Sequence, residues 1–405
     1  MALTSKRVLI FSLNYYPRFI GGAEVAIKEI TDRIPFEEIE FHMVTLRFDA
    51  DLPAIEKIGN VLVHRIGFTK RAPSIGDLKK FPLHLNKYFY QFLAARYASQ
   101  LHKQYRYDGI WAMMAHSAGI PAGLFKKRHP EVPYLLTLQE GDPPAQIERT
   151  MRPVWNLFRH AFTRADALQP ISQSLLAWGR RMGFTGTSGV IPNGVDVSAF
   201  SKSFSSEEIQ KMQSQLGKKE RETYLITASR LVHKNGIDTV IKALTKLPAT
   251  VHFAICGIGP DEAKLKALAV KYGVSERTHF LGQIEHAELP LALAACDIFI
   301  RPSRSEGMGN SFIEAMAAGL PVIATQEGGI ADFLFDAVRN PGQPATGWAV
   351  DVDAPEQIAN AVRDILARPE QVAQVTETAR SMVRDKYDWK LVADQMRTHF
   401  HSLLS

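Results

Sequence analysis

Short apolar runs alternate with helix-length segments along the whole chain, and few folds accommodate that pattern. In the first half the runs fall at 8–13, 41–46, 61–66, 109–113 and 134–138; in the second, at 224–228, 251–256, 279–281, 298–300 and 321–324. Runs of this length, parted by amphipathic or mixed stretches, predict parallel strands joined by crossover helices. A parallel sheet is covered on both faces, so its strands read as continuous apolar runs. Two such series predict an α/β chain of two Rossmann-like, doubly wound domains.

The break between the series falls at the turn-rich Ile191-Pro192-Asn193-Gly194-Val195-Asp196. A polar stretch follows it. The expected division is a first domain at 1–196, a linker at 197–222 with a short helix at most, and a second domain at 223–385. The two cysteines, Cys256 and Cys296, both sit in apolar runs. They form neither a disulfide framework nor a metal-binding spacing, which fits a reducing, cytoplasmic setting. Lys6-Arg7 before the apolar 8–13 run imitates a signal peptide, but the run is short and lacks a small-residue cleavage site. No run of about 18 apolar residues is present to span a bilayer.

Charge is uneven. Residues 1–200 carry 25 Lys and Arg against 17 Asp and Glu, a net of +8, whereas residues 201–405 carry 23 against 25, a net of −2. Between Arg65 and Arg128 there are 12 basic residues and only Asp77 and Asp108 to oppose them, with aromatic residues interleaved. That mixture suits a solvated amphipathic helix, an anionic membrane surface or an anionic acceptor. No nucleic-acid motif accompanies it.

Chemistry concentrates in residues 300–329, IRPSRSEGMGNSFIEAMAAGLPVIATQEGG. Glu306 and Glu314 bracket the turn Gly307-Met308-Gly309. Asn310 or Ser311 can cap a helix whose apolar face is Phe312, Ile313, Met316 and Ala317. The free amides of that helix start make an anion site. A carboxylate beside an anion site suits a polyol, because it accepts hydrogen bonds from two hydroxyls. Phosphate next to polyol describes a nucleotide sugar. Arg230 and Lys234 add the countercharge. They follow a predicted strand, in Ser229-Arg230-Leu231-Val232-His233-Lys234-Asn235-Gly236, at a strand end where open α/β sheets bind ligands.

The block S-R-S-E-G-M-G followed by E-A-M-A-A-G-L-P-V-I-A-T resembles the E-x7-E signature of the retaining glycosyltransferases of family 4, on the GT-B fold. The resemblance implies two domains facing across a cleft, with the 386–405 helix crossing back to an N-terminal acceptor domain. It implies that Glu306 lies by the donor sugar, that Glu314 binds the ribose, and that Arg230 and Lys234 bind the diphosphate. Asn235 interrupts the family's usual Lys-Gly pair. Gly21-Gly22 resembles the family's G-G-x-E element, His116 stands where the family carries a histidine near the donor sugar, and Gln283-Ile284 matches the loop beside the base. Where many members have His-Asp, this chain has Gln139-Glu140-Gly141-Asp142.

The expected activity is transfer of a sugar from a UDP- or GDP-sugar to a carbohydrate, lipid-linked or small-molecule acceptor, without a cofactor. A nucleotide-sugar 2-epimerase, a phosphorylase and a non-catalytic nucleotide-sugar binder are the alternatives. Asp49-Ala50-Asp51 and Asp351-Val352-Asp353 each spell D-x-D. The first sits in a polar loop, and Asp353 reads as a helix cap, so no metal is assigned.

Overall fold

The computed structural model describes residues 5–18, 21–73 and 77–405. Its chain contacts cluster into two units. One joins the chain up to Asn193 with Trp389–Ser405, and the other is Gly194–Asp388. The first crossing therefore lies inside the turn-rich exit that the sequence marks.

The first unit is built on an eight-stranded sheet: β1 (Lys6–Phe11), β2 (Ile39–Leu46), β3 (Ile55–Ile58), β4 (Val61–Ile66), β5 (Gly109–Met113), β6 (Tyr134–Leu138), β7 (Ala167–Pro170) and β8 (Thr187–Ser188). Their order is β3-β4-β2-β1-β5-β6-β7-β8. All neighbours are parallel except the β3–β4 pair. Alternate residues point to opposite faces. Val8, Ile10, Phe41, Met43, Trp111 and Leu135 pack against the Gly22–Thr31 helix and the Trp389–Leu404 helix. On the other face the Asn86–Tyr105 helix donates its Tyr90 hydroxyl to the carbonyls of Ser12 and Val44, at 3.0 and 2.8 Å.

The second unit holds a six-stranded, all-parallel sheet: β9 (Thr223–Ala228), β10 (Val251–Cys256), β11 (Thr278–Gly282), β12 (Ile298–Arg301), β13 (Val322–Ala324) and β14 (Trp348–Ala349). The order is β11-β10-β9-β12-β13-β14. Leu225, Phe253, Ile255, Ile298 and Ile300 pack on one face with the Ile237–Leu244 and Pro355–Ala367 helices. On the other, Phe299 meets Phe312 of the Asn310–Ala317 helix edge-on at 5.6 Å.

The 197–222 segment departs from the expected linker. It belongs to the second unit and carries helices Val197–Phe200 and Ser206–Leu216. Ser205 Oγ accepts from the Glu208 N–H, Glu208 accepts from the Ser205 N–H, and Gly217 closes the helix with φ +76°. This reciprocal cap holds an 11-residue helix that its polar composition concealed. Both cysteines are buried and unpaired. Burial pushes the Cys256 thiol up to about 12 and the Cys296 thiol higher still, so neither offers a thiolate at neutral pH.

Candidate functional site

In the second sheet β9 and β12 lie side by side, with β10 outside one and β13 outside the other. The connections from this pair leave in opposite directions, which opens a crevice at the strands' carboxyl ends. The loop leaving β9 carries Arg230 and Lys234; the loop leaving β12 carries Glu306 and Gly307-Met308-Gly309. Arg230 is exposed and Lys234 half-buried. The Arg304 N–H donates to the Lys234 carbonyl at 2.6 Å. The Arg304 guanidinium forks onto both oxygens of Asp238, at 2.9 and 2.8 Å, and also reaches Asp353. Burial pushes Asp238 up, but the Arg304 bond and charge outweigh it and hold this carboxyl below its ordinary range.

Asn235, the residue that interrupts Lys-Gly, is buried and has a local task. Its Nδ2 donates to the Arg230 carbonyl at 2.6 Å, closing the loop on itself. Gly236 then turns with φ +69°, and a Cβ there would lie 2.0 Å from the Pro302 carbonyl oxygen. The two loops are thus stitched together below their charged tips.

Glu306 and Glu314 are held differently. Glu306 Oε2 accepts from Arg301 Nη2 at 2.9 Å, and its other oxygen accepts from the Gly307 N–H at 3.0 Å. Arg301 is buried: its Nη1 donates to Ser311 Oγ at 2.8 Å, and its guanidinium stacks 4.2 Å from the Phe312 ring centre. Burial lowers the Arg301 pKa, and the charges of Glu306 and Glu314 pull the other way. Gly309, at φ +84°, starts the Asn310–Ala317 helix; a Cβ on it would strike both Arg301 and the Phe312 ring. Gly307 and Met308 are both buried. Glu314, on the first turns of the helix, meets His286 Nε2 at 3.0 Å. His286 shares the loop after β11 with Gln283 and Ile284, so one hydrogen bond ties that loop to the helix. Gln283 is exposed and Ile284 half-buried.

Four buried side-chain oxygens around this crevice have no hydrogen-bond partner among the described residues: Thr227 Oγ1, Ser229 Oγ, Ser303 Oγ and Asn235 Oδ1. Three belong to the end of β9 or to the loop leaving it, and Ser303 to the loop leaving β12. Buried polar atoms are rarely left unmatched, and a group of them at strand carboxyl ends is what a polar ligand would complete.

Gly21, Gly22 and His116 belong to the first unit, at the corresponding point of its sheet, where β1 meets β5. Gly21 precedes the Gly22–Thr31 helix, and its N–H donates to the buried Glu24 carboxylate at 2.8 Å. The motif's glutamate is therefore a local cap that takes up the Gly21 amide. His116 sits in one π-helical turn, Ala115–Gly119, and its Nδ1 lies 3.4 Å from Glu140 Oε1. Glu140 is buried and also accepts from the Ala115 and Gln139 amides, at 2.7 and 3.0 Å. Burial opposes a charge on His116, but the hydrogen bond and charge of Glu140, with the charge of Asp142, outweigh it and raise the imidazole above its ordinary value. The glutamate that replaces His-Asp in the sequence thus positions the neighbouring histidine.

Arg301, Arg304 and His286 were not singled out in the sequence, and Glu140 only as part of the departure from His-Asp. A charged residue closing the apolar strand Ile298–Arg301, five positions before a glutamate, was a usable signal for Arg301. His286 gave none, because its partner lies 28 positions away. Asp353 is not a helix cap: it has φ +58°, Ala354 stands at the cap, and its carboxylate joins Arg304 and Thr239. Asp351 pairs with Arg339 at 2.7 Å. Asp49 is buried, accepts from the Asp51 and Ala72 amides and pairs with Arg18 at 2.7 Å. The amide hydrogen bond from Asp51 is the largest influence lowering its pKa.

Two families described by their sequence profiles match the chain: glycosyl transferases group 1 over residues 208–382, and glycosyltransferase family 4 over residues 20–199. The GDP-mannose-dependent monoacylated alpha-(1-6)-phosphatidylinositol monomannoside mannosyltransferase of Corynebacterium glutamicum is 30% identical over 245 residues, 58% of this chain and 61% of that one. The chain spans about half to three fifths of the length of the curated relatives it matches. Sucrose-phosphate synthase from Thermosynechococcus elongatus superposes with a TM-score of 0.77 at 20% identity, covering 98% of this chain and 99% of that one. Anabaena HepE, solved with UDP-glucose, gives 0.76 at 21%, covering 98% and 100%. At these identities the superpositions establish the shared GT-B fold. With both profiles covering their respective halves, the chain belongs to the group 1, family 4 glycosyltransferases.

Proposed function

We propose that this protein transfers a sugar, with retention at the anomeric carbon, from a nucleoside diphosphate sugar held by its second unit. The observation that carries the reading is the convergence at the β9–β12 carboxyl ends: an exposed arginine, a lysine, two carboxylates and a group of unmatched buried oxygens. Arg230 and Lys234 neutralise the diphosphate, and the amides at Gly309–Ser311 add partial positive charge at a helix start. Glu306, fixed by Arg301, faces the donor sugar, and Glu314 takes the ribose hydroxyls. Gln283 and Ile284 flank the base. In the first unit, Gly21, Gly22 and His116 are the residues proposed for acceptor and sugar binding.

In the reaction the bond from the anomeric carbon to the diphosphate oxygen breaks. The acceptor oxygen bonds to the same face of that carbon, and its proton passes to the departing phosphate. This course needs no protein nucleophile. It needs charge stabilisation, and groups of this kind are worth about 2.7–4 kcal/mol each. No metal is assigned, and the engagement of Asp49, Asp351 and Asp353 by arginines supports that. Donors carrying UDP or GDP fit the reading: HepE was solved with UDP-glucose, and the corynebacterial relative is named GDP-mannose-dependent. That relative's name also supports a lipid-linked acceptor, and a cytoplasmic protein peripheral to a membrane fits such an acceptor. No helix among the described residues is long and apolar enough to cross one.

A thermal-shift series with UDP-glucose, GDP-mannose, UDP and GDP tests the donor. Ligand bound only by the folded state raises the midpoint with concentration. A rise with one nucleotide series is expected. No rise with any of the four overturns the donor assignment, and epimerised free sugar in place of a transfer product overturns the reaction.

A further inference from the structure

The Asn86–Tyr105 helix is apolar on two sides. Its inner side, Tyr90, Ala94, Ala95, Ala98 and Leu101, is buried in the first unit. Tyr88, Phe89, Phe92 and Leu93 recur at steps of one and four, so they share a second face, and that face is open: Tyr88 is 59% exposed, Phe92 53% and Leu93 46%. Phe81, at 80%, stands in the turn before the helix. Large apolar side chains gathered on one exposed patch mark an interaction site. The inner side already covers the core without them, so core packing does not explain this face.

A pocket of about 220 Å³ opens behind the patch, lined by Leu46 and Ile66 at the ends of β2 and β4 and by Phe68, Phe89, Tyr90 and Leu93. Its polar groups are turned away or matched. Asn86 exchanges both amide hydrogen bonds with the Phe68 backbone, at 2.7 and 2.8 Å, and the Tyr90 hydroxyl is engaged by Ser12 and Val44. The pocket therefore offers a ligand no side-chain hydrogen bond and suits hydrocarbon. The surroundings are basic. Lys79, Lys80, Lys87 and Arg96 are exposed around the apolar face, and Lys87 lies 5.0 Å over the Tyr88 ring. Exposed aromatics ringed by lysine match the boundary of an anionic bilayer.

We infer that this face docks on an anionic bilayer and that the pocket receives one hydrocarbon chain of a membrane lipid. The inference rests on the peripheral placement proposed above and gives it a site.

Co-sedimentation of the full chain with vesicles of phosphatidylglycerol and phosphatidylcholine tests it, with photoactivatable acyl chains in a parallel sample. Binding should depend on phosphatidylglycerol and weaken as salt rises. Lys79→Ala and Lys87→Ala should each weaken it about five-fold, and Phe92→Ser with Leu93→Ser about ten-fold or more. Cross-links should fall on Leu46, Ile66 or Phe68. All four substitutions are on exposed side chains, and an unchanged thermal midpoint verifies the fold. Equal binding to pure phosphatidylcholine overturns the anionic docking. Binding that the lysine variants weaken and the serine variants leave intact keeps the peripheral placement and overturns the apolar site. Labelling that spares the pocket residues overturns the chain slot.

Discussion

The loop that carries Arg230 and Lys234 was legible because strand, loop and cation are consecutive in sequence. Replacing either by alanine should weaken UDP or GDP binding roughly 10- to 100-fold, since a hydrogen bond to a charged group contributes about 1.5–3 kcal/mol. Calorimetry with the free diphosphates is the check, and unchanged affinity in both variants would remove them from the site. Arg301 left a signal in the sequence but its role did not show there, because that role depends on partners that only the fold assembles. It changes what Glu306 variants mean. Glu306→Gln takes from a buried arginine the carboxylate that is hydrogen-bonded to it, so it should cost about 3–5 kcal/mol of stability as well as transfer. Glu314→Gln, whose partner His286 is exposed, should cost less than about 1 kcal/mol while weakening donor binding. Denaturant unfolding of both variants decides; equal losses refute the distinction. His116 adds a pH signature. Its pKa is raised in the fold, so protonation favours the folded state. That contribution is present below the unfolded value of about 6.5 and is lost as pH rises through the folded value. The stability advantage over His116→Gln should therefore shrink from acid to mildly alkaline pH, and an advantage that grows instead would contradict the Glu140 pairing.

Ten strands were readable as apolar runs, and all ten are present, four with the same ends and six with ends shifted by one or two residues. The four that were not readable are short or polar: Ile55–Ile58 is an exposed edge, Ala167–Pro170 contains Gln169 and ends in proline, and Thr187–Ser188 and Trp348–Ala349 have two residues each. Such pieces owe their conformation to neighbours already in the sheet. The Ser206–Leu216 helix was written in Ser205-x-x-Glu208, and composition hid it. The loop–helix junction at Gly309 is the element that fixes the site's geometry. Gly309→Ala forces a side chain into a left-handed backbone position, about 1–3 kcal/mol, and into Arg301. It should lower both stability and donor affinity. A variant that binds donor normally would show that Arg301 can shift without consequence.

At the scale of the whole molecule, the charge argument predicts catalysis without divalent cation. Transfer measured by UDP or GDP release should persist in excess chelator, and loss that magnesium or manganese restores would overturn it. The segment Trp389–Leu404 matters at this scale too. Trp389, Val392, Met396, Phe400 and Leu404 are buried in the core built on β1, β2 and β5. During synthesis the strands of that core emerge first, yet their covering helix follows only after the 195 residues of Gly194–Asp388. At about 5–20 residues per second, the ribosome needs roughly 10–40 s to make that stretch. The second unit can close on itself in that interval, while the sheet surface around Val8, Phe41 and Trp111 has only the Gly22–Thr31 helix to cover it. The part of the chain that is made first is therefore the part that is finished last, and its exposure to chaperones and to aggregation is set by the length of the unit inserted within it.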